Sequence, residues 1–466
     1  MRSRLAILVL ATALAAPIAY DVWRTPIQVW DAIEEMMDAQ RSPSVAASFM
    51  SAVGTTAYLR PLRIAQIKAL FDLSGGNYRA AYRGFHAVLV VVLLLLFASA
   101  LRVESGRDAA AAAFALTVLI GMHTFLSFLR EAFPINHFLE IAVFTLLALN
   151  LALSRGGWWV DLLAALTLVC AVLTLESGVL VWVVFAAAWM CGLRGVSTRG
   201  VAGVTACLAA YLALRFMVLR TGLPGLDERA SGFLLERLSA HDVLARFGDS
   251  PRLFHVYNVA VSLLSVLASE PRDGQFVALL AWRQHDVHPA AYLAIGTSVG
   301  TTLLLAWAAV SAVRRRTFGH GERLAVIAVA VIAANAVLSF SYAKDDIIAV
   351  AGVFYALAAY AAVRLALDRM GTARPVFGLI GCLVVGVLAA GWAMRATGVH
   401  YVVGSHAFRI RNDWARAPLE LEKQHRWPEA EGTRRLIQTL RADALAAEVP
   451  NPVLYDDDWR ERWYGN

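Results

Sequence analysis

"YRGFHAVLVVVLLLLFA", residues 82–98, decides the fold class. Residues 84–101 carry no Asp, Glu, Lys or Arg. A run of this length crosses a hydrocarbon layer as a helix, the one linear segment that satisfies all its own backbone groups there. Runs of about 20 apolar residues recur along most of the chain. With 59% hydrophobic and 17% charged residues among 466, the composition excludes an ordinary soluble protein. The class is an all-α polytopic membrane protein, and neither a sheet-based core nor a strand-rich module is expected.

Short arginine-bearing links separate the runs, at 1–4, 102–108, 154–157, 194–200, 314–323 and 368–374. By the excess of Arg and Lys in cytoplasmic loops, these links face the cytoplasm. The spans between them are expected at 5–23, 84–101, 109–129, 137–153, 158–175, 177–193, 201–219, 290–313, 324–342, 347–367 and 376–396, about eleven in all. The first follows Arg2 and Arg4 but ends in "APIAYDVW" without a small-residue cleavage site, so it is read as a retained span. Residues 254–271 are apolar yet break the alternation, and are expected to dip into or lie flat at the outer interface. The organisation is then a transmembrane domain over 1–396, with outer loops at 24–83 and 220–289, and an outer-face helical tail over 397–466.

Cys170, Cys191, Cys207 and Cys382 all fall in apolar runs and read as small core residues, not a disulfide framework. The formal charge of +7 resides in the links and calls for no nucleic-acid partner.

The first outer loop concentrates chemistry. "VWDAIEEMMDAQ", residues 29–40, places Asp31, Glu34, Glu35 and Asp38 on one helical face, opposite Trp30, Ile33 and Met37. Then come "YLRPL" at 58–62, Arg63, Lys68, the turn "SGGNYR" at 74–79, and Tyr82 and Arg83. Carboxylates and guanidinium groups at headgroup depth suit a lipid-phosphate substrate: cations for the phosphate, a base for an incoming hydroxyl. The plainer reading is an amphipathic interfacial helix with a solvated acidic face.

The order of these features resembles the GT-C superfamily of polyprenyl-phosphate-sugar-dependent membrane glycosyltransferases. The resemblance rests on a first span, the acidic juxtamembrane motif, "RPL", the glycine turn and "YRGFHAVLVVVLLLLFA". It continues through "FLREAFPINHFLEIAVFTLLAL", "LTLESGVLVWVVF" and "SYAKDDIIAVAGVFYALAAY", covering most of residues 5–366. It implies inverting transfer of a sugar from a polyprenyl-phosphate donor to a cell-envelope glycan, lipid or protein, on the periplasmic face of a bacterial inner membrane. Within it, Asp31 is the expected base, with Glu34 or Glu35 as substitutes, and Glu131 positions the acceptor or contacts a metal. Glu34, Arg60, Arg63 and Lys344 are the expected substrate contacts, and a requirement for a divalent cation, Mg or Mn, is left open. Ala32 stands where many relatives have a second aspartate, and Leu175 where they have the lysine of a Lys-Glu pair. A catalytically inactive scaffold of the same fold is therefore one rival reading, and a transporter or flippase of lipid-linked saccharides is another.

Other polar residues have structural readings. Glu140 at a span start is able to snorkel, and Glu131 to pair with Arg130. Glu176 near the end of an apolar run needs a cavity or a partner, for which Arg215 is the candidate. Lys344 beside Asp345 and Asp346 reads equally as a neutralised surface pair. His123 reads as a hydrogen-bonded core histidine, "RQHDVH" at 283–288 as a loop short of a zinc set, and "YDDDW" at 455–459 as solvated.

Overall fold

Helix starts are written into this sequence as caps. Asn77 accepts a hydrogen bond from the Ala80 amide, and Asn136 accepts from that of Leu139. Ser105 with Asp108, and Ser239 with Asp242, form reciprocal capping boxes. The computed structural model describes residues 2–29, 31–53, 58–130, 133–221, 231–315, 318–371, 375–423 and 430–449.

The first helices are α1 (Arg2–Arg24), α2 (Asp31–Arg41), α3 (Val45–Val53), α4 (Pro61–Leu73), α5 (Tyr78–Ala100), α6 (Gly106–Gly121) and α7 (His123–Arg130). There follow α8 (His137–Leu153), α9 (Trp158–Thr174), α10 (Leu180–Met190), α11 (Thr198–Ala213), α12 (Ala240–Phe247), α13 (Arg252–Ala268) and α14 (Val277–Arg283). The chain ends in α15 (Pro289–Arg315), α16 (His320–Leu338), α17 (Ala349–Met370), α18 (Pro375–Lys423) and α19 (Glu431–Ala446). A small antiparallel hairpin, β1 (Ser231–Phe233) with β2 (Glu236–Leu238), pairs Ser231 with Leu238.

Among the described residues, seven helices are long and apolar enough to cross a membrane: α1, α5, α11 with the π turn that follows it, α15, α16, α17 and α18. The pair α6 and α7 passes the same test as one path bent by 61°. Shorter apolar helices include α8, α9 and α13. The protein is thus an all-α polytopic membrane protein. Its centre is α17, whose small residues let neighbours approach closely and whose Tyr355 and Tyr360 are fully buried. Helices α6, α15, α16 and α18 pack around it.

The two ends of the bundle sort the links. Gly195 N donates to Ala152 O at 3.1 Å, and Arg107 pairs with Asp368 at 3.5 Å. One cavity is lined together by Arg102, Arg155, Leu193 and His320. Five of the arginine-bearing links therefore gather at one end, and α2, α4 and the loops before α8 and α17 lie at the other.

Two expectations change in detail. The span expected at 109–129 is broken at Met122, whose backbone is extended (φ −66°, ψ 137°). The last apolar helix does not stop at 396: α18 runs 49 residues, because hydropathy ends there while helix-forming sequence does not. The expected boundary between membrane domain and tail thus lies inside one helix. Residues 254–271 supply α13, closed by Ser269 in a left-handed conformation, and α13 packs against α15 and α16.

Candidate functional site

Three polar side chains spaced three residues apart on α4 each reach a different carboxylate. Pro61 opens the helix at a position that needs no N–H donor, which leaves Arg60 at its N-cap. The Arg60 guanidinium donates to both oxygens of Glu176, at 2.6 to 3.1 Å. Arg63 Nη2 donates to Glu35 Oε1 at 2.8 Å, and Gln66 Nε2 to Glu140 Oε1 at 2.9 Å. Glu176 heads the 3-10 turn after α9, Glu35 lies on α2, and Glu140 is in the first turn of α8. One loop helix is thereby clipped to three separate elements.

The network extends inward. Arg215, on the π turn after α11, lies 3.6 Å from Glu176 and donates to the Tyr211 hydroxyl at 3.3 Å. His137 Nδ1 is 2.8 Å from Glu140 Oε2, and the Tyr58 ring lies 4.2 Å from the Arg60 guanidinium carbon. The Arg60 and Glu176 side chains are 20% and 21% exposed, those of Arg63 and Glu35 14% and 26%. Burial pushes the Glu35 carboxyl up against the pull of Arg63, and burial pulls the Arg63 guanidinium down against Glu35. Arg63 Nε, Arg215 Nε, His137 Nε2 and Ser177 Oγ are buried with no hydrogen-bond partner among the described residues. The site therefore keeps donor capacity that protein acceptors do not use.

The geometry of α2 explains which acid joins. Ala32, Ile33, Met36 and Ala39 are buried, while Asp31, Glu34 and Asp38 are exposed. At about 100° per residue, Glu35 borders the apolar arc beside Ala39. It turns to Arg63; the others face outward.

A second polar cluster forms where the loop after α13 meets the loop before α17. Asp345 N donates to Asp273 Oδ1 at 2.8 Å, Arg272 lies 3.8 Å from Asp345, and Lys344 Nζ is 2.5 Å from Asp346. His123 Nε2 is 3.0 Å from Ser265 Oγ and 3.6 Å from Asp345 Oδ1. Serine and aspartate meet the same ring nitrogen, and Nδ1 has no hydrogen-bond partner among the described residues, whereas a nucleophile relay needs one partner on each nitrogen. Burial, then Asp345, pushes Asp273 up to about 6, and burial pushes Glu270 up to about 7. Burial acts against the Asp345 carboxylate, but His123 and Arg272 hold it down at about 2.

The expected site residues divide accordingly. Arg60 and Arg63 are in the α4 network, each engaged by a glutamate. Asp31 is exposed at the start of α2, repels Glu35, and makes no hydrogen bond or ion pair with a described residue. Glu34 is exposed one turn on. Lys344 belongs to the second cluster, tied to Asp346. Glu131 lies outside the described residues, as do Trp30 and residues 455–459. Glu140 does not snorkel: it is buried between His137 and Gln66. Glu176 has the expected Arg215 beside it, and its closer partner is Arg60. The signal for the Glu140 pair was present as His137 three residues earlier; nothing local pointed to Gln66.

What the fold and the site define is a polytopic helical membrane protein with a partly buried arginine–glutamate network at one end. No family model, characterised protein or solved structure matches the chain.

Proposed function

We propose that this protein is an inverting glycosyltransferase of the GT-C type, moving a sugar from a polyprenyl-phosphate donor to a hydroxyl of a cell-envelope glycan, lipid or protein. The observation that carries the reading is α4: two guanidinium groups on one helix, held between a loop and the ends of apolar helices, with Arg63 Nε unpartnered. That is a cradle for a phosphate delivered from the lipid side. With α8, α9 and α10 counted as short spans the chain crosses eleven times. The network then faces the periplasm of a bacterial inner membrane.

In this reading Asp31 accepts the proton of the acceptor hydroxyl, whose oxygen attacks C1 of the sugar. The bond from C1 to the phosphate oxygen breaks, and polyprenyl phosphate leaves with its negative charge on Arg60 and Arg63. Glu35 is committed to Arg63, so it positions the cation and Asp31 remains the available base. Among the described residues no three His, Cys, Asp or Glu side chains gather as a metal-binding group. Glu35 and Glu176 are held by guanidinium groups and Glu131 lies outside the described residues, so no step is routed through a divalent ion.

The test is transfer of sugar from a radiolabelled polyprenyl-phosphate donor in membranes. Wild type is expected to form glycoside, and Asp31→Asn to lose at least about 100-fold while inserting normally. Full activity in Asp31→Asn overturns the base assignment. The 61° break between α6 and α7 favours a second reading, transport of a lipid-linked saccharide, since broken helices recur in transporters. Flipping of the donor without a new glycosidic bond would select it.

A further inference from the structure

At the end opposite the α4 network, the inter-helix links enclose a cavity of about 1030 Å³. It is separate from the proposed transfer site: Glu140 and Asn150 stand near opposite ends of α8, roughly 15 Å apart at the rise of a helix. Arg102, Arg155, His320 and Arg323 line it, and among the described residues Glu104 is the one lining carboxylate. Glu104 is already tied to Arg102, at 2.7 Å. Arg155 is exposed and makes no hydrogen bond or ion pair with a described residue. Arg323 Nε and His320 Nε2 are buried with no hydrogen-bond partner among the described residues.

A cavity lined by arginines in excess over carboxylates attracts an anion, and the planar fork of a guanidinium matches phosphate oxygens. The remaining wall sets apolar residues, Leu101, Leu153 and Phe318 among them, beside Ser99, Asn150 and Ser154. These follow the end of α5, close α8 and precede α16, so the cavity opens where spanning helices stop, at headgroup depth. Cations beside apolar wall at that depth fit an amphiphile better than a free ion.

We propose that this cavity binds the phosphate of an anionic lipid headgroup, with Arg155 and Arg323 as its principal contacts. The experiment uses the full-length protein purified in neutral detergent. Phosphatidylglycerol and phosphatidylcholine are added in separate arms, and inorganic phosphate in a third. Retained lipid is read by native mass spectrometry and the melting temperature by thermal shift. Phosphatidylglycerol is expected to be retained and to raise the melting temperature, phosphatidylcholine to do neither, and the effect to shrink with added salt. Arg323→Gln and Arg155→Ala are each expected to weaken phosphatidylglycerol binding roughly fivefold. Equal stabilisation by inorganic phosphate alone overturns the lipid assignment. Unchanged phosphatidylglycerol binding in Arg155→Ala, a variant that removes no contact the fold depends on, overturns the site.

Discussion

A guanidinium held by a carboxylate at one-fifth exposure is both an anchor and a hazard. Two ions taken out of water are stable only with near-ideal geometry, and Arg60 meets Glu176 through both oxygens while Arg215 adds a third charge at 3.6 Å. Deleting the carboxylate alone leaves two guanidinium groups facing each other. Glu176→Gln is therefore expected to cost roughly 3–5 kcal/mol, whereas Arg60→Met with Glu176→Leu costs less than the sum of the singles. Thermal unfolding of the four proteins of that cycle decides it, and strict additivity would remove the pair as an energetic unit. The acids of α2 separate by the same logic. Under the proposed transferase function, Glu35 grips Arg63, so Glu35→Gln should raise KM for the donor with kcat little changed, and Asp31→Asn should lower kcat. A Glu35→Gln variant with normal KM and collapsed kcat would exchange the two proposed roles.

Elements depend on turns that hydropathy does not register. The reversal from α9 to α10 is made by the 3-10 turn Glu176–Val179, and a Cβ on Gly178 would lie 2.3 Å from the Ala171 carbonyl carbon. That contact is with backbone and cannot be relieved by a rotamer. Gly178→Ala should displace the turn, separate Glu176 from Arg60, and lower stability by roughly 1–3 kcal/mol. Adding Arg60→Met should then cost less than it does in wild type, as thermal unfolding would read out; an unchanged cost means that the turn does not place Glu176. The long apolar helices were legible because apolar length alone specifies them. The break at Met122 was not, since methionine is as apolar extended as helical. The reach of α18 past residue 396 was missed because the end of an apolar run marks where a helix leaves lipid, not where it ends.

At the scale of the molecule, the chain sorts arginine-bearing links to one end and buried acids to the other. The sorting was readable, because each link carries its own charge. The site was readable in part: Arg60 and Arg63 stood out as cations of the first outer loop, Glu35 as an acid of the α2 stripe, and Glu176 with Arg215 as a pair, whereas Gln66 did not stand out. The partners of Arg60, Arg63 and Gln66 lie 116, 28 and 74 residues away and are selected by packing. The acids also give that end a pH dependence. Asp273 faces Asp345, Asp346, Lys344 and Arg237, and is pushed up to about 6 by burial and by Asp345. A carboxyl whose pKa is higher folded than unfolded stabilises the fold below its unfolded value, near 4, and loses that contribution as pH rises through 6. Asp273→Asn keeps an acceptor for the Asp345 amide and removes the charge. It should therefore melt a few degrees above wild type at pH 7.5, a gain of roughly 1–2 kcal/mol, and level with wild type near pH 4. Melting curves of both proteins across that range report Asp273 together with its pairing to Asp345. A difference that stays constant with pH, or grows towards acid, would mean that Asp273 enters the fold already ionised and that Asp345 does not press on it.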